Sequence, residues 1–340
     1  MIVGSGVVGS YLGKMLGDQE IWEKSRTVVE KPCSTLLSKP GLSSLELDFE
    51  ECVLNEVNGA IFFSNHREFS VEKKSTQAYV LDRLALQKEL IKEAEDNGCK
   101  IKYNKMWKGQ EDKFVIGADG ALSKVASSMG VRRGYIHAYQ IKAELKRRMD
   151  DRLVELYFGD FAPGFFGWRI PFDERRAEIG LGVSRGNVRK QFDGFAKRFE
   201  IKKVTNVQSA LIPVFDPRQK TVSENKALVG DAAGQVKATS GGGIIFGCKC
   251  AEVLAEAVER QDLGYYEKKW RRKYEKDLKV HLWIRKFLNK TDYDALFEMV
   301  KDKRIDGLIE RYGDMDHPRE LAKQILRRPS LLVSAFRLFS

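Results

Sequence analysis

The sequence predicts an α/β fold in which a layer of short buried strands is interrupted by an antiparallel β-sheet and followed by a helical C-terminal region. Three observations predict it. Three well-separated segments, Gly4 to Gly9, Gly117 to Gly120 and Gly230 to Gly243, each follow a buried strand with glycine and an acid or an open turn. A meander of strand-like runs fills residues 134–222, and helical patterns fill most of the chain beyond Gly243. With 340 residues, 43% hydrophobic and 10% aromatic, the composition is ordinary globular and sufficient for two interleaved domains with their own cores.

Taken in order, Ile2-Val3 reads as a very short strand, Gly4-Ser5-Gly6-Val7-Val8-Gly9 as a glycine turn and Ser10 to about Leu16 as a helix. In a dinucleotide-binding unit Gly4 makes the tight turn, Gly6 lets the backbone approach a pyrophosphate, and Gly9 lets helix and strand pack closely. The helix N-terminus then offers unpaired N–H groups and its positive dipole end to the phosphates. A second strand, Glu20 to Glu23, ends in an acid 19 residues after Gly4, placed to accept from ribose hydroxyls. Glu30, after the strand-like Thr27-Val28-Val29, competes with Glu23 for that role. Short strands then occupy 60–63, 68–71 and 79–81, and a helix from Arg83 to Asn97 is stopped by Gly98.

A buried strand at 114–118 ends at Asp119-Gly120; Asp119 is either a cofactor contact or the cap of the helix after Ser123. In the meander, strands are expected at 137–145, 153–158, 164–171 and 177–183. In the last, Ile179, Leu181 and Val183 alternate with Gly180 and Gly182, so one face is apolar and the other admits something close to the backbone. Finally, Ala227 to Val229 runs into Gly230-Asp231, and Ser240-Gly241-Gly242-Gly243-Ile244 opens a helix reaching Glu259. The expected domains are a Rossmann-like cofactor domain (1–58, 79–133 and 226–264), an antiparallel β-sheet substrate domain (59–78 and 134–225) and a helical region (265–340).

No signal-peptide pattern opens the chain and no apolar run approaches the ~20 residues of a membrane-spanning helix, so a cytoplasmic location is expected. Five cysteines without a CxxC pair argue against a disulfide framework and against a structural metal site. The net charge of +11 is uneven: residues 265–290 hold ten Lys/Arg against three Asp/Glu. The run Lys268-Lys269-Trp270-Arg271-Arg272-Lys273, with its aromatic, reads as a nucleic-acid surface, an interfacial membrane helix or simply a solvated face.

The three glycine segments together resemble the FAD-binding set of the para-hydroxybenzoate hydroxylase-like flavoproteins. More narrowly, the chain resembles the archaeal geranylgeranyl reductases. The narrower resemblance rests on Lys31-Pro32-Cys33-Ser34, on Tyr79 to Arg83, on Ala162 to Pro171, and on Gly313 to Pro318 with Arg328-Pro329-Ser330-Leu331-Leu332, and it spans essentially the whole chain. The third stretch carries the family's aromatic-x-Trp-x-x-Pro pattern as Phe166, Trp168 and Pro171, with Gly180 on the next strand. Departures are Lys237-Ala238-Thr239 where the family has a proline before the glycine triplet, Phe166 for its tyrosine, and a shorter chain.

The resemblance implies non-covalent FAD bound through Gly4, Gly6, Gly9, Glu23, Asp119 and Gly230, with Asp231 on the ribityl chain and Arg83 near the diphosphate or adenosine. It implies that Cys33 and Ser34 lie beside the isoalloxazine, and that Gly242, Gly243 and Ile244 run along the flavin. Phe166, Trp168 and Pro171 are expected to line the path of a polyprenyl lipid. The implied reaction is hydrogenation of geranylgeranyl double bonds in archaeal-type membrane lipids, with Cys33 or a bound water as proton donor.

Electrons are expected from soluble NAD(P)H or a reduced ferredoxin-like partner, because no second GxGxxG and no cysteine cluster is present. A lipid substrate favours an anionic membrane surface over nucleic acid as the partner of the basic segment. The competing enzyme class on the same fold is a flavin monooxygenase, and a third reading is a lipid-surface binding protein without active flavin.

Overall fold

A computed structural model describes residues 1–109 and 114–328. Of the stretches that carry the resemblance, 329–332 lies outside the described residues.

The chain opens with β1 (Ile2–Val3), α1 (Val7–Leu16) and β2 (Glu20–Trp22). It continues through β3 (Leu36–Ser38), α2 (Lys39–Ser43), β4 (Val53–Val57), β5 (Gly59–Phe63), β6 (Glu68–Glu72), β7 (Ala78–Leu81), α3 (Arg83–Asp96), β8 (Lys100–Lys102), β9 (Val115–Gly117) and α4 (Lys124–Ser128). The middle comprises β10 (Tyr135–Leu145), β11 (Leu153–Tyr157), β12 (Gly167–Pro171), β13 (Arg176–Val183), α5 (Val188–Ala196), β14 (Ile201–Pro213), β15 (Val222–Ser223) and β16 (Lys226–Leu228). Beyond them come α6 (Ile244–Glu259), α7 (Leu263–Trp270), α8 (Lys276–Leu288), α9 (Tyr293–Asp302), α10 (Ile305–Tyr312) and α11 (Arg319–Leu326). A π-helical turn, Arg271–Glu275, joins α7 to α8.

Three sheets result among the described residues, with strand orders β15-β16-β9-β1-β2-β8, β14-β10-β13-β12-β11-β5-β6 and β3-β7-β4. In the first, every pair but β15–β16 is parallel. β1 lies between β2 and β9, so the chain changes direction across the sheet there, and the crevice beyond the carboxyl end of β1 is where such sheets take ligands. The seven-stranded sheet is antiparallel except for the β5–β11 pair. α1 starts at Val7 rather than Ser10 because Gly6 already serves as its extended N-cap (φ −68°, ψ 176°). Thr27-Val28-Val29 forms no strand.

The two faces of the large sheet differ in what covers them. Ile179, Leu181 and Val183 of β13 pack with Phe192 and Phe195 of α5, which accounts for the apolar alternation. On the opposite face Gly180 and Gly182 do leave room against the backbone, but side chains of the chain itself fill it. A Cβ on Gly180 would stand 2.2 Å from the Trp168 ring, and one on Gly182 would stand 2.3 Å from Phe165. Trp168 and Gly180 are direct cross-strand partners, so the separated Trp and Gly of the sequence pattern are one packing unit.

Trp270 corrects an expectation. It is not an interfacial aromatic: it is 1% exposed, and its Nε1 donates to Thr221 Oγ1 at 2.8 Å. Tyr266, one turn earlier, is equally buried and donates to the Leu228 carbonyl at 2.7 Å. These residues lock α7 onto the edge of the first sheet, and their apolar area outweighs any interfacial role for them. The exposed aromatic of the basic region is Trp283 on α8, 58% exposed. Trp270→Ala is therefore expected to cost about 3–5 kcal/mol in denaturant unfolding, whereas Trp283→Ala should stay within about 0.5 kcal/mol.

Candidate functional site

The glycine turn after β1 has the geometry its three residues were expected to need. Gly4 has φ +102°, and a Cβ there would lie 2.5 Å from the Ala118 carbonyl oxygen. A Cβ on Gly9 would lie 2.0 Å from the Gly4 carbonyl oxygen. Gly6 differs: among the described residues nothing lies within 4 Å of its added Cβ, so it borders open space at the N-terminus of α1. A phosphate could approach the backbone there without displacing a side chain.

Glu23, immediately after β2, accepts from Ser5 N and Ser5 Oγ at 3.2 Å each and from Ser25 N at 2.9 Å. Burial would raise its carboxyl, but the bonds from Ser25 and Ser5 together with nearby Lys31 hold it below the usual range. It is an ionised acceptor beside the turn. Glu30 is committed elsewhere, to Lys142 and to Asn206 Nδ2, on β10 and β14 of the large sheet.

A second wall is formed by Cys33, Arg83 and Asp231. Arg83 is 8% exposed, and Nη1 donates to Gln87 Oε1 at 2.6 Å while Gln87 Nε2 donates to the Ser5 carbonyl at 2.8 Å. The arginine is thereby tied to the glycine turn, and among the described residues no carboxylate forms an ion pair with it. Burial lowers its pKa, with Cys33 and Asp231 opposing. Asp231 follows Gly230 (φ +65°), and one of its carboxylate oxygens would lie 2.6 Å from a Cβ on Gly243. Burial raises its carboxyl against the pull of Arg83 and Arg133. Gly243 is the N-cap of α6 and Ile244 its first residue, so the helix end, Asp231 and the glycine triplet meet at one place.

Cys33 is part-buried, and its Sγ accepts from Thr35 N at 3.4 Å. Thr35 itself has φ +55°, a left-handed conformation rare for a β-branched residue. Burial raises the thiol's pKa, with Arg83 opposing and Glu178 adding to the rise. Its neighbour Ser34 is also part-buried. Asp119 spends its two oxygens on Ser123 Oγ at 2.5 Å and Lys124 N at 2.7 Å, which is the helix-capping arrangement for α4.

The large sheet contributes the opposing face. Phe166 and Trp168 are buried, meet edge to face at 5.9 Å between centroids, and share a cluster with Ile136, Ala138, Phe165 and Ile170. Pro171 ends β12 opposite Ala177, and its carbonyl accepts from Asn55 Nδ2 at 3.0 Å. Gln140 of β10 joins this face to Cys33, since its Nε2 donates to the Cys33 carbonyl at 3.3 Å, to Glu178 Oε2 at 3.0 Å and to Gln208 Oε1 at 2.7 Å.

Several residues here carry no mark in the sequence. Arg133 donates to the Asp231 carbonyl at 2.7 Å, and Lys237 forms a buried ion pair with Asp316 at 2.7 Å. Ser38 also donates to Asp316, while His281 is placed between Thr239 Oγ1 (2.7 Å) and the Asp316 carbonyl (3.1 Å). Lys237, where the family proline is missing, thus fastens the segment before the glycine triplet to the C-terminal region. Asp316 lies within the Gly313 to Pro318 stretch that carries part of the resemblance, and that is its one sequence signal.

No protein-family model matches the chain. A digeranylgeranylglycerophospholipid reductase of Methanocaldococcus jannaschii is 28% identical over 382 aligned positions, covering 98% of this chain and 96% of its own. Among solved structures, a geranylgeranyl bacteriochlorophyll reductase-like protein of Thermoplasma acidophilum superposes with a TM-score of 0.82 at 21% identity, over 99% of this chain and 98% of its own. A flavin-dependent halogenase superposes with a TM-score of 0.65 at 18% identity over 82% of this chain and 62% of its own, so the fold extends to flavoproteins of other chemistry. End-to-end similarity to such reductases and the Phe166-Trp168-Pro171-Gly180 unit point the same way: over its whole length the chain is similar to the archaeal geranylgeranyl reductases.

Proposed function

We propose that the protein binds FAD non-covalently and hydrogenates geranylgeranyl double bonds of archaeal-type membrane lipids or their precursors. The observation that carries this reading is the opposition of Cys33, Arg83 and Asp231 on one wall to the buried Phe166 and Trp168 face on the other, joined by Gln140. The proposed division of the chain assigns 1–58, 79–133 and 226–264 to FAD, 59–78 and 134–225 to the lipid, and 265–340 to a helical support.

The chain's residues fit the cofactor. Open space beside Gly6 suits a diphosphate at the start of α1, ionised Glu23 suits ribose hydroxyls, and Arg83 is a buried cation without an ion-pair partner among the described residues. Asp231 would take the ribityl hydroxyls, and the N-terminus of α6 would face the pyrimidine edge. Bound and reduced, FAD would supply the hydride equivalent for an unactivated double bond. The protein's own tasks are then to hold the alkene at reacting distance, exclude water and place a proton. Phe166 and Trp168 supply apolar area for the first two tasks, at about 25 cal/mol per Å² buried. Cys33, its thiol kept protonated by burial, stands beside the reacting region.

Gly6→Ala tests the cofactor assignment separately from folding. Its melting temperature should match the wild type because the added methyl meets nothing, while FAD affinity should fall at least about tenfold, or about 1.4 kcal/mol, in a binding titration. Unchanged affinity would move the diphosphate away from this turn.

For the reaction, dithionite-reduced protein under anaerobic conditions should be reoxidised by a geranylgeranylated glycerophospholipid, with lipid mass rising by two hydrogens per turnover. A flavin that stays reduced until oxygen enters would favour a monooxygenase instead. Soluble NAD(P)H and a reduced ferredoxin-like protein are the donors to compare for the resting reduction.

The lipid substrate also motivates a peripheral membrane contact, with α8 as its centre. Lys276, Lys286 and Lys290 are exposed around exposed Trp283, whereas Lys269, Arg271 and Lys279 are already paired with Glu256, Glu267 and Glu275. Each exposed cation near an anionic surface is worth about 1 kcal/mol. Sedimentation with anionic vesicles should be lost on reversing Lys286 and Lys290 together, and retention by neutral vesicles alone would count against this surface.

A further inference from the structure

Glu178 lies on β13, on the face that carries Gly180 and Gly182 and looks toward Cys33, next to Trp168 on β12. It is 0% exposed. Oε2 accepts from Gln140 Nε2 at 3.0 Å, and that same nitrogen reaches the Cys33 carbonyl at 3.3 Å. Among the described residues Oε1 is buried with no partner in hydrogen-bonding geometry, and so is Trp168 Nε1, although the indole lies close enough to act on the carboxyl from just outside that geometry. A carboxylate in that position would leave a charge sealed from water with half its acceptor capacity unused, which is costly enough that such groups take up a proton instead. No arginine or lysine forms an ion pair with it among the described residues: the cation acting on it is Lys142, which is itself paired with Glu30. A buried carboxylic acid with one oxygen unspoken for, beside a thiol and a tryptophan of the lipid path, is out of place in a merely structural sheet face.

We propose that Glu178, held as a neutral carboxylic acid, is the proton donor for the reduced double bond. The proposal rests on the reductase reading. With the hydride for one alkene carbon coming from reduced flavin when bound, the proton would leave Glu178 and form the C–H bond at the other. The two electrons would come from the flavin, and Glu178 would end as a carboxylate, held by Gln140 and by the field of Lys142 until a solvent proton restores the acid. The groups that face Glu178 are Cys33, Glu30, Lys142 of β10 and the Trp168 indole of β12. Burial pushes its pKa up to about 8, with Lys142 and the nearby Trp168 indole opposing and Glu30 reinforcing. It is therefore protonated through the neutral range, where a donor of this pKa is well matched to its task.

Glu178→Gln keeps the shape and the Gln140 contact but has no proton to give. In flavin-loaded wild type at neutral pH, the infrared spectrum should show a protonated carboxyl band that titrates near pH 8 and is absent from the Glu178→Gln protein. Equal spectra at neutral pH would overturn the proposal whether or not the enzyme turns over. With FAD content and dithionite reduction unchanged, lipid-dependent reoxidation in Glu178→Gln should fall about a hundredfold or more, without a matching change in KM. The decline of the wild-type rate above about pH 8 should vanish from the residual activity. Rates within about threefold of wild type, or a decline that persists in Glu178→Gln but disappears in Cys33→Ser, would sink it in favour of Cys33. A wild type that does not reduce the lipid at all would remove the underlying reading, and the proposal with it.

Discussion

The site depends on the interlock between Trp168 and Gly180. The indole lies where any side chain on Gly180 would have to be, 2.2 Å from the added carbon, so the ring is pressed flat against β13. That placement extends the aromatic surface through Phe166 and Phe165, and Phe165 repeats the device over Gly182. It also seals Glu178, which precedes Ile179 and Gly180 on the same strand, and leaves Glu178 Oε1 and Trp168 Nε1 buried outside hydrogen-bonding geometry among the described residues. A close-packed face of this kind transmits any shift of Trp168 to the carboxyl behind it.

The opposite wall is built by a different rule. Its groups come from segments far apart in the chain and are held by polar contacts: Gln87 ties Arg83 to the glycine turn, Arg133 holds the backbone of Asp231, and Lys237 pins the segment before the glycine triplet to Asp316 and the Met315 carbonyl. Arg83, buried, and Arg133, part-buried, are left with few partners among the described residues. Charges so placed are poor stabilisers, since desolvation offsets most of the attraction. They are well suited to a polar, multiply charged cofactor that would supply the missing partners.

Local chemistry makes much of this legible in advance. The Gly4, Gly6 and Gly9 turn follows from the separate demands on three glycines within six residues, and the strands expected at 164–171 and 177–183, the second from its alternation, fall at 167–171 and 176–183. What escapes is contact through space. Glu178 and Gln140 look like ordinary strand residues, and only the β10–β13 pairing, which sets Gln140 opposite Gly180, brings the amide to the carboxyl two positions away. Lys237 and Asp316 are 79 residues apart, and nothing local to either marks the other. Trp270 misleads for the converse reason: its basic neighbours suggest a surface, while Thr221 and the edge of the first sheet, unseen in the local pattern, claim the ring. Charge patterns report on the solvated flank of a helix and are silent about its buried one.

A raised carboxyl pKa has a thermodynamic sign that bears on why Glu178 is there. Because the folded protein binds its proton more tightly than the unfolded chain, the acid favours the folded state fully only below the unfolded pKa. That advantage is lost as pH rises toward the folded value of about 8. At pH 7 keeping an acid here costs about 3 kcal/mol relative to one that ionises freely in the unfolded chain. A glutamine would meet the packing demand without that loss. A single domain's net stability is only about 5–15 kcal/mol, so a penalty of this size is retained where the proton itself is used. Its position beside Trp168 and Cys33 is where the proposal puts that use.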